Sequence, residues 1–596
     1  MSYTAPIRDL AFAATELADL HGVGQLPGFE EATPDLLHTI LEEAGKFASE
    51  VLAPINASGD RQGVRLENGR AITADGWVDA YRQFIAGGWN GLPFDPALGG
   101  QGLPWLVSTA VAEIWHAANM SFSLCPLLTQ SAIEAIQSHG SEDLKATYLP
   151  KLVSGEWSGT MNLTEPQAGS DLSAVRTRAV GSGDHYLISG QKIFITYGDH
   201  DMSDNIIHLV LARTPDAPPG VKGISLFIVP KFLPDDKGNW TVRNDIETLS
   251  LEHKLGIHAS PTAALGYGVK DGAVGYLVGE ENHGLAHMFT MMNVARHAVG
   301  VEGNGVAERA YQQAVAFAGE RIQGRAVDEP KGERVPIIIH PDVKRLLWLQ
   351  KCRIEASRSL ALVVAGHMDH SRRQPDPRAR TRAREMVEIM TPIVKGYTTE
   401  MATENVSLAL QVHGGMGFIE ETGAAQHYRD QRITPIYEGT TGIQAMDLIG
   451  RKLMRDGGAM NARVIGEIRR ECAALSEAAG EVGHLAGTLS GALDALEESA
   501  KSIVASAAED ARLPAAVGEP YMRLWGVVAC GWQMAKAAKV SAEKLQREDD
   551  PFYRHKIQTA RFYFSSEMPK VGYLAELIGA SAHLVAEAEA PLFAVV

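Results

Sequence analysis

The sequence predicts an α+β multidomain protein in which helical domains flank a β domain, and three observations predict it. A chain of 596 residues is too long for one ordinary hydrophobic core. Apolar spacing is helical to residue 160, then changes near Gly159 to short β-branched or aromatic runs with no helical segment between them. Helical spacing returns at Gly284 and persists to the end. The expected organisation is an N-terminal helical domain over residues 1–160 and a middle antiparallel β domain over 161–283. A helical bundle over 284–457 and an extra C-terminal helical domain over 458–596 complete it.

In chain order, Pro34–Val51 carries Leu36, Leu37, Ile40, Leu41 and Phe47 at helical spacing. A glycine-rich loop from Gly87 to Pro104 then gives way to a long apolar helix reaching about Ala118, followed by helices over Ser131–Ser138 and Leu144–Leu152. The strands expected are His185–Ser189, Lys192–Thr196, Asn205–Ala212, Gly223–Val229, Trp240–Val242 and Ala263–Val269. Long helices follow over Gly284–Arg321 and Pro341–His367. Gly491, Pro514 and Pro520 mark helix breaks in the Ala-, Glu- and Leu-rich C-terminal region.

The net charge of −17 is unfavourable for a nucleic-acid partner, whose phosphates it repels. Cys125, Cys352, Cys472 and Cys530 are far apart with no C-x-x-C spacing, as expected of buried free thiols in a reducing compartment. Leu10–Leu20 is interrupted by Glu16 and Asp19 and reads as an amphipathic helix rather than a signal segment. No run of apolar residues is long enough to span a membrane, and a cytoplasmic location is expected.

The chemistry concentrates between Gln411 and Gln444. Gly414 and Gly415 allow close backbone approach to a ligand, since no Cβ stands in the way. Glu438 stands before Gly439, Thr440 and Thr441, which offer N–H and hydroxyl donors to an anionic cofactor at a helix start. Taken alone, Glu438 reads as readily as a solvated residue opening a helix. A second stretch, Met161 to Asp171, contains Leu163-Thr164-Glu165-Pro166-Gln167-Ala168-Gly169-Ser170-Asp171 and reads on composition as a polar loop. A third, Lys192-Ile193-Phe194-Ile195-Thr196, alternates like a core strand.

Together these stretches resemble the acyl-CoA dehydrogenase family, over residues of about 30 to 455, and the extended C-terminus matches a long-form branch. The resemblance implies FAD as cofactor and Glu438 as catalytic base. By position it implies flavin contacts from Met161, Leu163, Thr164, Gly169, Ser170, Phe194, Ile195 and Thr196. Further FAD contacts fall to Gln411, Gly414, Gly415, Thr440 and Gly442, and to Arg321 with Gln323 at the pyrophosphate, reached across a subunit interface. Ser170, Asn293, Arg296 and Gly439 are the implied substrate contacts. Phe194 stands where relatives commonly carry Trp, and Met161 where several carry another aromatic. Some relatives place their base on the helix of Asn293–Arg296; the matching residue here is Ala295, which leaves Glu438 as the candidate.

The implied reaction is α,β-dehydrogenation of an acyl-CoA thioester to a trans-2-enoyl-CoA. Its substrate would be a 3-(methylthio)propanoyl or a short- to medium-chain acyl-CoA. The family expectation adds an electron-transfer flavoprotein or similar acceptor and a homodimer. An acyl-CoA oxidase would use the same residues and return electrons to O₂. A non-catalytic, flavin-bearing nucleic-acid-binding relative would need a basic C-terminal face, whereas residues 461–596 hold 14 Lys and Arg against 18 Asp and Glu.

Two further features read as structural. Gly300-Val301-Glu302-Gly303-Asn304-Gly305 follows no strand, so it suits close helix packing better than a nucleotide loop. Asp199, His200, Asp201 and Asp204 read as an acidic solvated loop rather than a metal site; no metal is expected.

Overall fold

The computed structural model describes residues 3–476 and 481–594. Helices fill the chain up to Ser154, interrupted by a small hairpin of Arg65–Glu67 with Arg70–Ile72. The main helix of this region, α1 (Trp105–His139), breaks at Asn119, one residue beyond the expected helix end. The Asn119 side chain accepts from the Phe122 N–H at 3.1 Å and donates to the Leu52 carbonyl at 3.3 Å, so it caps the second half. Ser131–Ser138 belongs to that second half and is not a separate helix.

Eight strands form the central sheet: β1 (Trp157–Asn162), β2 (Arg178–Ser182), β3 (His185–Thr196), β4 (Asn205–Ala212), β5 (Ser225–Pro230), β6 (Ile246–Leu251), β7 (Thr262–Tyr267) and β8 (Ala273–Leu277). Their order is β6-β7-β3-β8-β5-β4-β1, with β2 added on β3. Two expected strands, His185–Ser189 and Lys192–Thr196, are one continuous strand, β3. Pairing is antiparallel except between β1 and β4, which run parallel from Trp157 opposite Asn205 to Asn162 opposite Val210. A parallel partner needs a long crossover, which here is the whole β2–β3 excursion. Trp240–Arg243 lies outside this sheet, in a hairpin with Phe232–Pro234.

Three long helices follow: α2 (Gly284–Glu320), α3 (Pro341–Arg373) and α4 (Pro377–His413). Gly300 and Gly305 let α2 press against its neighbours. A Cβ at Gly300 would lie 2.4 Å from the Val394 carbonyl, and one at Gly305 2.9 Å from that of Glu113. After the turn of residues 432–440 comes a short helix, α5 (Thr441–Met446).

The C-terminal region is helical, and α6 (Gly518–Leu545) and α7 (Pro551–Ser566) pack on α3 and α4. A Cβ at Gly526 would collide with the Tyr397 ring, and Trp348 stacks on Phe562 with ring centroids 4.5 Å apart. The same helices grip the first turns of the chain. Lys556 pairs with Asp9 and with Glu355, Lys544 pairs with Glu16 at 2.8 Å, and Phe12 meets Phe552 edge-on.

Of the stretch expected to be an acidic solvated loop, Asp201 and Asp204 are exposed but Asp199 and His200 are interior. Asp199 is buried, pairs with Lys231 at 2.6 Å and accepts from the Ala71 N–H at 2.8 Å, while buried His200 bonds Ser158. Asp201 accepts from Thr73. These residues fasten the Arg65–Ile72 hairpin to the sheet, and among the described residues no cluster of three metal-ligating side chains occurs.

Candidate active site

Glu438 occupies the turn between the helix Ala424–Gln431 and α5, with a left-handed backbone at φ 54°. A non-glycine residue pays for that conformation, so the surroundings must impose it. Gln444 on α5 donates its amide to the Glu438 and Gly439 carbonyls, each at 3.1 Å. Lys395 on α4 donates to the Gly439 carbonyl at 2.6 Å, and Arg296 on α2 reaches the Glu438 carbonyl at 3.4 Å. Three helices therefore hold the turn by its carbonyls. The Glu438 N–H makes no hydrogen bond among the described residues and is available to a ligand.

Burial pushes the Glu438 carboxyl up to about 7, against the opposing pull of Arg296 and Lys395. The side chain keeps some contact with solvent, and a ligand covering it would strengthen the same push. Burial also lowers the Lys395 ammonium to about 7. Thr440 caps α5 by accepting from the Ile443 N–H, and the Thr441 hydroxyl donates to Glu400. The Thr441 hydroxyl is thus committed inside the protein, contrary to its expected availability to a cofactor.

A second surface is built on the β domain. The backbone of Leu163 and Thr164 is tied to β3: Lys192 donates its ammonium to the Leu163 carbonyl at 3.0 Å, and the Ile193 N–H donates to Thr164 at 3.0 Å. Lys192 also pairs with Glu165 at 2.8 Å, and both side chains are almost wholly buried. Glu165 accepts further bonds from Arg176 N–H, Thr177 N–H and hydroxyl, and Gln167. Burial alone would raise its pKa, but the lysine and these donors hold it at about 2.

This lashing brings Leu163, Thr164, Phe194 and Thr196 together. Phe194 is left-handed at φ 60°, and the residue is 59 % exposed. An exposed aromatic ring on a strained strand residue is a surface made for stacking. Ile195, by contrast, is buried in the core of the sheet and can offer a ligand only its backbone. Met161 is half-buried at the end of β1, and Gly169 and Ser170 are exposed beyond the loop.

A third group lies at the far end of α2. The Phe317 ring packs on His413 with centroids 4.6 Å apart, which sets the Gly414 turn beside the Arg321 end of α2. Arg321 is exposed and makes no ion pair or side-chain hydrogen bond among the described residues. Nothing lies within 4 Å of a Cβ built on Gly414 or Gly415. Gln323, Gln411 and Gly442 are exposed as well. A free guanidinium beside an open glycine turn suits a pyrophosphate. With the exposed Phe194 ring, this donor set fits FAD.

Arg296 departs from its expected place. It is buried, and besides Glu438 it faces Asp447 at 3.6 Å, whereas Asn293 three residues earlier is exposed. The arginine therefore serves the Glu438 turn, while Asn293, like Ser170, is exposed. Sequence reasoning missed Lys395, Gln444 and the Glu165–Lys192 pair. A lysine inside an otherwise apolar strand was the available signal for the last of these.

Four family models match consecutive segments: the acyl-CoA dehydrogenase N-terminal domain (35–156), middle domain (160–267) and C-terminal domain (282–454), then an acetyl-CoA dehydrogenase C-terminal-like domain (464–589). A 3-methylmercaptopropionyl-CoA dehydrogenase of Ruegeria pomeroyi is 49% identical over 94% of this chain and 95% of its own. A butyryl-CoA dehydrogenase of Syntrophomonas wolfei is 34% identical over 96% of each.

Among solved structures, an acyl-CoA dehydrogenase of Bacillus anthracis complexed with FAD shares the fold. Its TM-score is 0.75 at 20% identity, over 96% of this chain and 92% of that one. A chain from a structure of the electron transferring flavoprotein of Acidaminococcus fermentans matches with TM-score 0.58 at 27% identity, over 70% and 98%. This chain is an FAD-dependent oxidoreductase and belongs to the acyl-CoA dehydrogenase family.

Proposed function

We propose that this acyl-CoA dehydrogenase oxidises a short acyl-CoA, with 3-(methylthio)propanoyl-CoA as the preferred substrate and dimethylsulfoniopropionate breakdown as the setting. The observation that carries the reading is a cavity of about 40 Å³ between α1 and α2, walled by Phe84, Trp89, Trp105 and Trp115. Val294, His297 and Ala298 of α2 line it, on the helix that also carries Arg296, while Glu438 itself is not among the lining residues. Such a volume takes roughly three water-sized groups, the size of a methylthio end and too little for a long acyl tail. The aromatic lining suits a polarisable sulfur. His116, which burial keeps neutral with its pKa down to about 3, adds a polar edge without charge. The 49% identical relative acts on the same thioester by its name.

Glu438 removes the α-proton of the thioester, and its own N–H is placed to bond the thioester oxygen as negative charge develops there. A preorganised donor of that kind is typically worth about 3 kcal/mol of barrier. Arg296, Lys395 and Gln444 keep the turn in its left-handed shape, so no reorganisation is required at the moment of transfer. Bound FAD would supply the hydride acceptor for the β-carbon. The open Gly414 turn and Arg321 favour a homodimer in which that end of one subunit meets the cofactor of the other, and an electron-transfer flavoprotein is the proposed electron acceptor.

The test is anaerobic mixing of the FAD-loaded protein with acyl-CoAs of increasing length, including the methylthio compound, while the oxidised flavin absorbance is followed. Fast bleaching by short thioesters is expected. Faster bleaching by long chains would refute the size argument, and no bleaching by any thioester would remove the activity.

A further inference from the structure

One buried acid close to the base has no part in the reaction proposed above. Glu302 lies midway along α2 and is completely buried. One carboxyl oxygen accepts a hydrogen bond from the Tyr437 hydroxyl, and the other, also buried, has no hydrogen-bond partner among the described residues. Tyr437 directly precedes Glu438, so this bond fixes the entry of the turn whose carbonyls are held by Gln444, Lys395 and Arg296.

The titratable groups facing Glu302 are Tyr437 and Glu438 from the turn, Lys395 from α4, and Asp430 from the helix Ala424–Gln431. The one basic group among these is Lys395, which burial lowers to about 7 and whose Nζ is committed to the Gly439 carbonyl. A charged Glu302 would be a buried anion with one bare oxygen beside two other carboxyls, which is costly unless it stays protonated. Burial does keep it protonated, to about 8, with Tyr437 and Lys395 opposing.

We propose that Glu302 is a positioning residue: as an uncharged acid acting through the Tyr437 hydroxyl, it holds the turn that aims the Glu438 carboxylate at the substrate. This inference rests on the proposed function, since it assigns Glu302 a part in that reaction. Its ionisation has a definite consequence. The new anion lies beside Glu438 and Asp430 and is not offset by Lys395, which burial has already lowered to about 7, so repulsion displaces the Tyr437–Glu438 turn and activity falls on the alkaline side.

The experiment compares the full-length, FAD-loaded wild type with Tyr437→Phe, Glu302→Ala and Glu302→Gln. It measures kcat and KM on the best-bleaching acyl-CoA from about pH 6 to 9, with flavin content and thermal midpoint recorded for each. Tyr437→Phe and Glu302→Ala should lower kcat by about tenfold to a hundredfold, with KM and flavin content near wild type, as a slightly misaimed base requires. Glu302→Gln keeps an acceptor for Tyr437 and cannot ionise. It should restore most of the loss seen in Glu302→Ala and move the alkaline limb upward by about one pH unit or more.

If Glu302→Ala does not fold, Tyr437→Phe, which removes a single oxygen, still decides the tether. Wild-type kcat in Tyr437→Phe overturns the inference. So does an alkaline limb unmoved in Glu302→Gln, which would belong to Lys395. If the wild type is bleached while these variants match it, only this inference fails; if no thioester bleaches the wild type, the proposed function fails with it.

Discussion

Replacing Lys192 with Met tests how the flavin-facing surface of the β domain is built. The substitution keeps an unbranched chain of similar length and removes only the ammonium. That ammonium bonds the Leu163 carbonyl at 3.0 Å and Glu165 at 2.8 Å, with both side chains out of contact with water. Deleting one partner of a buried ion pair typically costs about 3–5 kcal/mol, because the other charge is stranded. Here the lower end applies, since Glu165 retains bonds from Arg176, Thr177 and Gln167.

At about 1.4 kcal/mol per decade, that cost raises the local opening equilibrium roughly a hundredfold. Hydrogen exchange of the amides over residues 163–177 should accelerate by that factor, and bound FAD should be lost faster on dilution. Adding Glu165→Gln to Lys192→Met removes the stranded charge and should recover part of the loss, a coupling measurable in a double-mutant cycle. Exchange over 163–177 at wild-type rates, with full flavin retention, would refute the claim that this pair lashes the loop to β3.

Other outcomes follow from the site. Glu438→Gln should take up FAD and thioester yet lose about 10²- to 10⁴-fold in flavin reduction rate, measured by stopped flow. The free enzyme's kcat/KM should rise with pH through about 7 as Glu438 gives up its proton, and that limb should be absent from the residual activity of Glu438→Gln. Arg321→Ala should purify with less bound flavin but an unchanged fold, read from the absorbance ratio and circular dichroism. Glu302 stays protonated in the fold where the unfolded chain has already released that proton, so it lowers stability as pH rises from the ordinary carboxylate range to about 8. The thermal midpoint of Glu302→Gln relative to wild type should therefore improve across that window, and a gap independent of pH would contradict the buried neutral acid.

Much of this was legible from local signals. The alternation of β3, the glycine pair at 414–415 and the Glu438-Gly439-Thr440 turn each announce themselves within a few residues. The missed features depend on partners distant in sequence. β1 is absent from the expected strands because its partner β4 runs parallel and lies beyond two other strands. Asp199 and His200 look solvated until Lys231, Ala71 and Ser158 close around them. Arg296 looked available for substrate because its helix face says nothing of the Glu438 carbonyl that satisfies it. Glu302 was hidden among glycines whose role is helix packing, where a carboxyl without a charged partner is least expected.

The grip of α6 and α7 on the opening turns of the chain bears on how the molecule can assemble. Lys556 meets Asp9 across 547 residues of sequence, and Lys536 caps the Leu17 carbonyl at 3.1 Å across 519. Contacts of such separation form late, because the intervening chain must be ordered before they repay their closure entropy. Phe12 and its neighbours thus remain without their final cover until the C-terminal helices dock, and during that interval they are exposed apolar surface open to aggregation or chaperone capture. A fragment ending near residue 457 would keep every residue of the Glu438 turn while leaving that surface permanently bare.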